Sequence, residues 1–153
     1  VNVSSSVIRS FLKEGEVEMA EMCLGYHYTI MGKVVHGYKQ GRKMGFPTAN
    51  IDMSDSHQLI PAPGVYAVKV HIDGENKCRH GMMNIGRRPT FGGDNITLEI
   101  NIFDFSDDIY DRILHVSFIH RIREERKFNN ALELASQLKD DRRLVEEQFL
   151  KED

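Results

Sequence analysis

Ten residues of this 153-residue chain concentrate groups suited to holding a phosphate: Gly41-Arg-Lys-Met-Gly-Phe-Pro-Thr-Ala-Asn50. Gly41 and Gly45 let the backbone turn sharply and approach a ligand closely. Arg42 and Lys43 bring positive charge to that turn. Thr48 and Asn50, two residues apart in an extended segment, present neutral oxygens on one side. A hard cation such as Mg²⁺ takes oxygen ligands and usually shares them with substrate phosphates. The segment therefore reads as a phosphate-and-magnesium site, although the same residue types also make an ordinary turn. It is not a Walker loop, since no GxxxxGK[ST] occurs.

A second candidate is Glu99. In Thr97-Leu-Glu-Ile-Asn101 the apolar Leu98, Ile100 and Ile102 share one face, so Glu99 and Asn101 point to the other. A carboxylate on a rigid strand is placed to act as a general base; an outward, solvated Glu fits the same pattern. The stretch Asn84-Ile-Gly-Arg-Arg-Pro-Thr-Phe-Gly-Gly93 reads as a glycine-rich loop. There Arg87 and Arg88 could meet phosphates and Phe91 could stack on a planar ring, with a cationic surface loop as the alternative. Arg121 and Arg123, followed by Glu124, Glu125, Lys127 and Phe128, read as a charged connector. Seven histidines occur without an HExxH or a Cys/His metal spacing, and no GxSxG is present.

The elements that must position these groups are strands. Val65–Ile72 is a strong strand, Asp73-Gly74 signals a hairpin, and Cys78–Ile85 reads as its partner. Ile96–Phe103 and Ile113–Ile119 alternate cleanly. Tyr28 and Ile30, then Val34 and Val35, read as strands flanking Gly32. Five or six strands at hairpin spacing, with no helices between them, predict an antiparallel sheet or small barrel whose mouth gathers the catalytic pieces. Two short helices precede them, broken at Gly15 and ending at Gly25. A closing helix spans 130–150, with Asn130 and Glu133 as a capping box and Leu134, Leu138, Val145 and Phe149 on one face. The charged residues between these are expected to be solvated.

Composition excludes several classes. The net charge is −3, with basic residues scattered among acidic ones, which argues against a nucleic-acid partner. No apolar run reaches a membrane span's length and no signal peptide opens the chain. Cys23 and Cys78 have no framework spacing, so the expected setting is reducing and cytoplasmic.

Taken in order, these motifs resemble the riboflavin kinase (flavokinase) family. The matching residues are Gly37, Gly41-Arg42, Gly45-Phe-Pro-Thr-Ala-Asn50, Pro63-Gly-Val-Tyr66, Asn84-Ile-Gly86, Arg88-Pro-Thr-Phe91, Glu99, Asp108-Ile-Tyr110, Arg123-x-Glu125-x-Lys127-Phe128 and the late helix pattern. The resemblance runs from about residue 24 to the C-terminus. It implies a mainly β fold: a six-stranded antiparallel Greek-key barrel with a C-terminal helix and short N-terminal linker helices. It also implies transfer of the γ-phosphoryl group of ATP to the 5′-hydroxyl of riboflavin, giving FMN and ADP with Mg²⁺. Carried over residue by residue, Glu99 is the catalytic base. Gly41, Arg42, Lys43, Gly45, Pro47, Thr48 and Asn50 hold ATP phosphates, with Thr48 and Asn50 on the metal. Arg121, Arg123 and Phe128 lie on the flavin side, and Asn84, Arg88, Thr90 and Phe91 form a further ligand loop. Asp111 stands where the family often has Gly.

Residues 3–25 are similar to the end of the adenylyltransferase module of bacterial bifunctional FAD synthetases. The expectation is thus a piece of a bifunctional enzyme, opening on Val1: residues 1–24 as helical linker and 25–153 as the kinase domain. No HxGH is present, so FMN rather than FAD is the expected product. The competing readings are a barrel that binds flavin or nucleotide without turning it over, and a split-barrel flavin oxidoreductase.

Overall fold

The structure, a computed structural model, describes residues 5–35 and 47–152. Two helices open it, α1 (Ser5–Lys13) and α2 (Val17–Leu24). Six strands follow: β1 (Thr29–Val35), β2 (Ala49–Asp52), β3 (Gly64–Ile72), β4 (Cys78–Thr90), β5 (Gly93–Ile102) and β6 (Ile113–Glu124). Helix α3 (Ala131–Glu152) closes the chain.

The strands form a closed antiparallel barrel in the order β1-β2-β5-β4-β3-β6. Hairpins join β3, β4 and β5, and β6 returns to lie beside β3, which is the Greek-key arrangement. Closure leaves no open sheet edge around the ring. Alternation sends Val68, Ile85, Leu98, Ile100 and Phe118 inward to form the core. Tyr66 packs edge-on against Phe118 at 5.2 Å. Burial pushes its phenol up to about 12, so the hydroxyl stays a donor to the Ala62 carbonyl.

Three stretches differ from the sequence expectation. Gly32 does not separate two strands; it sits inside β1, where a Cβ would lie 2.3 Å from Ile51 Cγ2. The glycine lets β1 and β2 approach. The supposed loop 84–93 is mostly strand, because β4 runs on to Thr90 and turns tightly into β5 at Gly93. The supposed connector at 121–124 is likewise the end of β6.

The outer wall of the barrel carries a second core, where Val65, Ala67, Met82 and Ile119 meet Val145 and Phe149 of α3. Helix α3 begins as expected: Asn130 Oδ1 accepts from the Glu133 amide at 2.9 Å, and Glu133 reaches back to the Asn129 amide at 3.2 Å. Its charged residues are not all solvated, however. Asp141 is fully buried.

The first helices are packed onto the barrel. Leu12, Val17 and Ala20 belong to the same buried cluster as Ile30, Tyr66 and Phe118. Gly15 turns the chain between α1 and α2 at φ +81°, and Gly25 ends α2 at φ +84° with its amide on the Glu21 carbonyl. At the other end of the barrel Asp111 adopts φ 69°, the left-handed conformation a glycine there would supply, and pairs with Lys33 at 2.8 Å.

Candidate active site

A single cross-strand row assembles the site. Asn50 on β2 lies opposite Glu99 on β5, and Glu99 lies opposite Asn84 on β4. Asn84 faces Val65 on β3, which faces Arg123 on β6. Directly opposed residues project to the same side of a sheet. Their chain neighbours Ile51, Leu98, Ile85 and Tyr66 fill the barrel, so this row projects outward. The candidate residues therefore converge on the outer wall, just past the cover of α3, and not in the barrel mouth expected from sequence.

A polar cavity of about 120 Å³ opens there, lined by Asn84, Gly86, Arg88, Thr97, Glu99, Arg123 and Arg126 among others. Gly86 is its floor: a Cβ there would lie 2.8 Å from Thr97 Oγ1 and 3.6 Å from Glu125 Oε1. Glu125 closes one side by accepting the Arg87 amide at 3.1 Å. Burial pushes the Glu99 carboxyl above its ordinary value, and the Arg88 charge works against that rise. A carboxylate so placed is a stronger base than a solvated one.

The two arginines expected side by side are separated. Between Val65 and Tyr66 the register with β6 shifts, leaving Ile122 as an extra residue. Arg123 faces outward with Val65, and Arg121 faces inward with Tyr66. Arg123 chelates Asp141, with Nε 2.9 and 3.1 Å and Nη2 2.9 Å from its oxygens, and sits over Phe128 at 5.7 Å. Arg121 leaves the cavity altogether. It donates to the Glu14 carbonyl at 3.1 Å and the Pro63 carbonyl at 2.6 Å, clamping the α1–α2 elbow to the barrel. A Cβ on Gly15 would meet its guanidinium at 2.7 Å.

Of the phosphate candidates, Gly41, Arg42, Lys43 and Gly45 lie outside the described residues. Pro47, Thr48 and Asn50 run into β2 beside Glu99. Asn101, whose role sequence reasoning missed although it shares a face with Glu99, ties this stretch to β5 by donating to the Pro47 carbonyl at 2.7 Å. Asn50 Oδ1 is buried, and among the described residues nothing donates a hydrogen bond to it. An orphaned buried acceptor is costly unless something positive meets it. With Thr48 nearby and an anionic Glu99 opposite, these oxygens fit a magnesium ion that brings most of its ligands as water and phosphate oxygens. No cluster of three or more His, Cys, Asp or Glu able to hold a metal occurs among the described residues. Thr90 and Phe91 lie at the β4–β5 hairpin tip, with Phe91 fully exposed, and do not line the cavity.

Residues 24–149 match the family model Flavokinase, described as riboflavin kinase. The bifunctional riboflavin kinase/FMN adenylyltransferase of Bacillus subtilis strain 168 is 43% identical over 143 residues, covering 92% of this chain and 44% of the relative. That of Escherichia coli K12 is 40% identical over 149 residues, covering 97% and 47%. The chain thus spans less than half the length of these relatives. A crystal structure described as a macrolide-efflux protein from Streptococcus pneumoniae superposes with a TM-score of 0.88 at 37% identity, over 95% of this chain and 47% of that one. Riboflavin kinase from Trypanosoma brucei superposes with a TM-score of 0.52 at 23% identity, over 80% and 77%, a likeness of fold. No described helix is long and apolar enough to cross a membrane.

Proposed function

The chain belongs to the riboflavin kinase family, and from that premise we propose that it phosphorylates the 5′-hydroxyl of riboflavin with ATP, releasing FMN and ADP. The observation that carries this reading is the row Asn50–Glu99–Asn84, which sets a half-buried carboxylate between neutral amide groups on the outer wall of the barrel. Phosphoryl transfer asks little covalent chemistry of a protein: it needs placement, charge neutralisation and a group to receive the nucleophile's proton.

Glu99 receives that proton. The bond from the riboflavin oxygen to the γ-phosphorus forms as the bond to the departing ADP oxygen breaks, and the hydroxyl proton passes to the carboxylate. Asn84, directly opposite Glu99, offers an amide to orient the attacking hydroxyl. Thr48 and Asn50 hold the metal side through their oxygens, and Asn101 fixes the strand that carries them through Pro47. Magnesium, when bound, neutralises charge on the transferring phosphates. Arg123 and Phe128 make the flavin-side wall, with Asp141 locking the guanidinium in place.

The stretch 1–24 is read as the approach from an adenylyltransferase module, as in the bifunctional relatives. We read the setting as reducing and cytoplasmic, a reading the two unpaired thiols Cys23 and Cys78 support.

The test is incubation with riboflavin, ATP and Mg²⁺, with chromatographic separation of the flavins, with and without EDTA. An FMN peak that EDTA abolishes, and no FAD peak, is the expected result. Riboflavin binding without FMN would overturn the reading in favour of a flavin-holding barrel. Glu99→Gln should lower turnover by about 10²–10⁴-fold, the usual worth of a general base, while riboflavin still binds.

A further inference from the structure

Two guanidiniums stand over the ring of Phe128: Arg123 at 5.7 Å and Arg126 at 5.2 Å. Both arginines line the polar cavity beside Glu99. Like charges gathered at one ring repel, so each needs an anchor that fixes where it lies. The anchor of Arg123 is buried Asp141. That of Arg126 is Gln137, four residues before Asp141 on α3: Nη1 donates to Oε1 at 2.8 Å. Residues so spaced are neighbours on a helix, and Gln137 Nε2 donates to Asp141 Oδ1 at 2.9 Å. Both ends of the amide are thus committed, oxygen to a cation and nitrogen to an anion. A carboxylate at 137 would give Asp141 no donor, and an ammonium would give Arg126 no acceptor. The chain of bonds Arg126–Gln137–Asp141–Arg123 ties the stretch after β6 to α3.

We propose that Gln137 is a positioning residue of this site: it holds the Arg126 guanidinium at the cavity wall, aimed at the oxygen acceptors of the bound flavin substrate. The inference rests on the kinase reading of the site. Arg126 is exposed, and a free arginine would have to be ordered at the moment of binding. Ordering one such side chain weakens binding by about 3- to 10-fold. Gln137 removes that loss in advance. Being neutral, it fixes the direction of the guanidinium without cancelling its charge, whereas the charge of Arg123 is met by Asp141.

The experiment is a riboflavin titration of the full chain followed by flavin fluorescence, with Arg126→Met, Gln137→Met and the double variant. Each single change weakens riboflavin binding by about 3- to 10-fold, and the double binds as Arg126→Met does, because Gln137 acts through Arg126. In FMN formation the loss falls in KM for riboflavin and leaves that for ATP where it was; a merely structural role would move both. Losses that add in the double variant, or native affinity in Gln137→Met, overturn the proposal. Should Gln137→Met fail to fold, unchanged affinity in Arg126→Met overturns it alone. Coupled losses of riboflavin affinity in protein that forms no FMN keep the positioning role and sink the kinase reading. A native chain that binds no riboflavin overturns both.

Discussion

Asp141→Ala should be among the most damaging single changes in this fold. The carboxylate is 0% exposed and the Arg123 side chain only 17%. Three nitrogen–oxygen contacts of 2.9–3.1 Å join them, and Gln137 donates a fourth at 2.9 Å. Removing the carboxylate leaves a largely buried guanidinium without its charged partner. Breaking a buried pair from one side costs about 3–5 kcal/mol. At roughly 2–4 °C per kcal/mol for a domain of this size, the melting temperature should fall by about 6–20 °C. Urea unfolding followed by circular dichroism reads the cost directly: the midpoint drops while the slope stays constant. Asp140→Ala, one residue away, is the internal control. Its pair with Arg143 at 3.5 Å is half-exposed, so it should lose less than about 1 kcal/mol. Equal losses for the two variants would refute the reasoning. The double replacement Arg123→Met with Asp141→Leu should recover much of the stability, because the buried charges also carry a desolvation cost.

Three further outcomes are expected. Because burial raises the folded-state value of Glu99 above that of the unfolded chain, the stability this group contributes is complete below the unfolded value and is lost as pH rises through the folded one. Glu99→Gln should therefore melt above the native protein at neutral pH and lose that advantage in acid; an identical melting temperature at both ends of the range would count against a half-buried base. Gly15→Ala should cost about 1–3 kcal/mol, since φ is +81° and the new methyl meets the Arg121 guanidinium, whereas Gly25→Asn, at φ +84° with nothing within 4 Å, should be nearly neutral in the same unfolding assay. Asn50→Ala should move the magnesium dependence of FMN formation to higher concentration without weakening riboflavin binding in a fluorescence titration, and an unchanged magnesium curve would remove Asn50 from the metal.

The barrel was legible because period-two alternation survives wherever one face is buried. Leu98, Ile100 and Ile102 pointed inward as expected, and that placed Glu99 and Asn101 outward. What alternation cannot give is register. Asn50, Glu99 and Asn84 come from three different strands, and only the pairing of β2 with β5 and β5 with β4 aligns them. Asp141 was in principle visible. It falls seven residues after Leu134 and four before Val145, on the apolar stripe of α3, where an acid needs a buried partner. Grouping it with the exposed charges hid the partner of Arg123.

The arginines of β6 were harder to read, for a physical reason. Arg121 and Arg123 are two apart, and a regular strand puts such residues on one face. A bulge needs no particular residue to mark it: Ile122 is unremarkable in sequence, yet as the extra residue it turns Arg121 into the barrel end and leaves Arg123 outside. The consequence reaches beyond the assignment. Along one short stretch of strand, Arg121 grips the carbonyls of Glu14 and Pro63 while Arg123 grips Asp141 beside the cavity. The bulge thus lets one short strand end hold two separate elements, the α1–α2 elbow through Arg121 and α3 through Arg123.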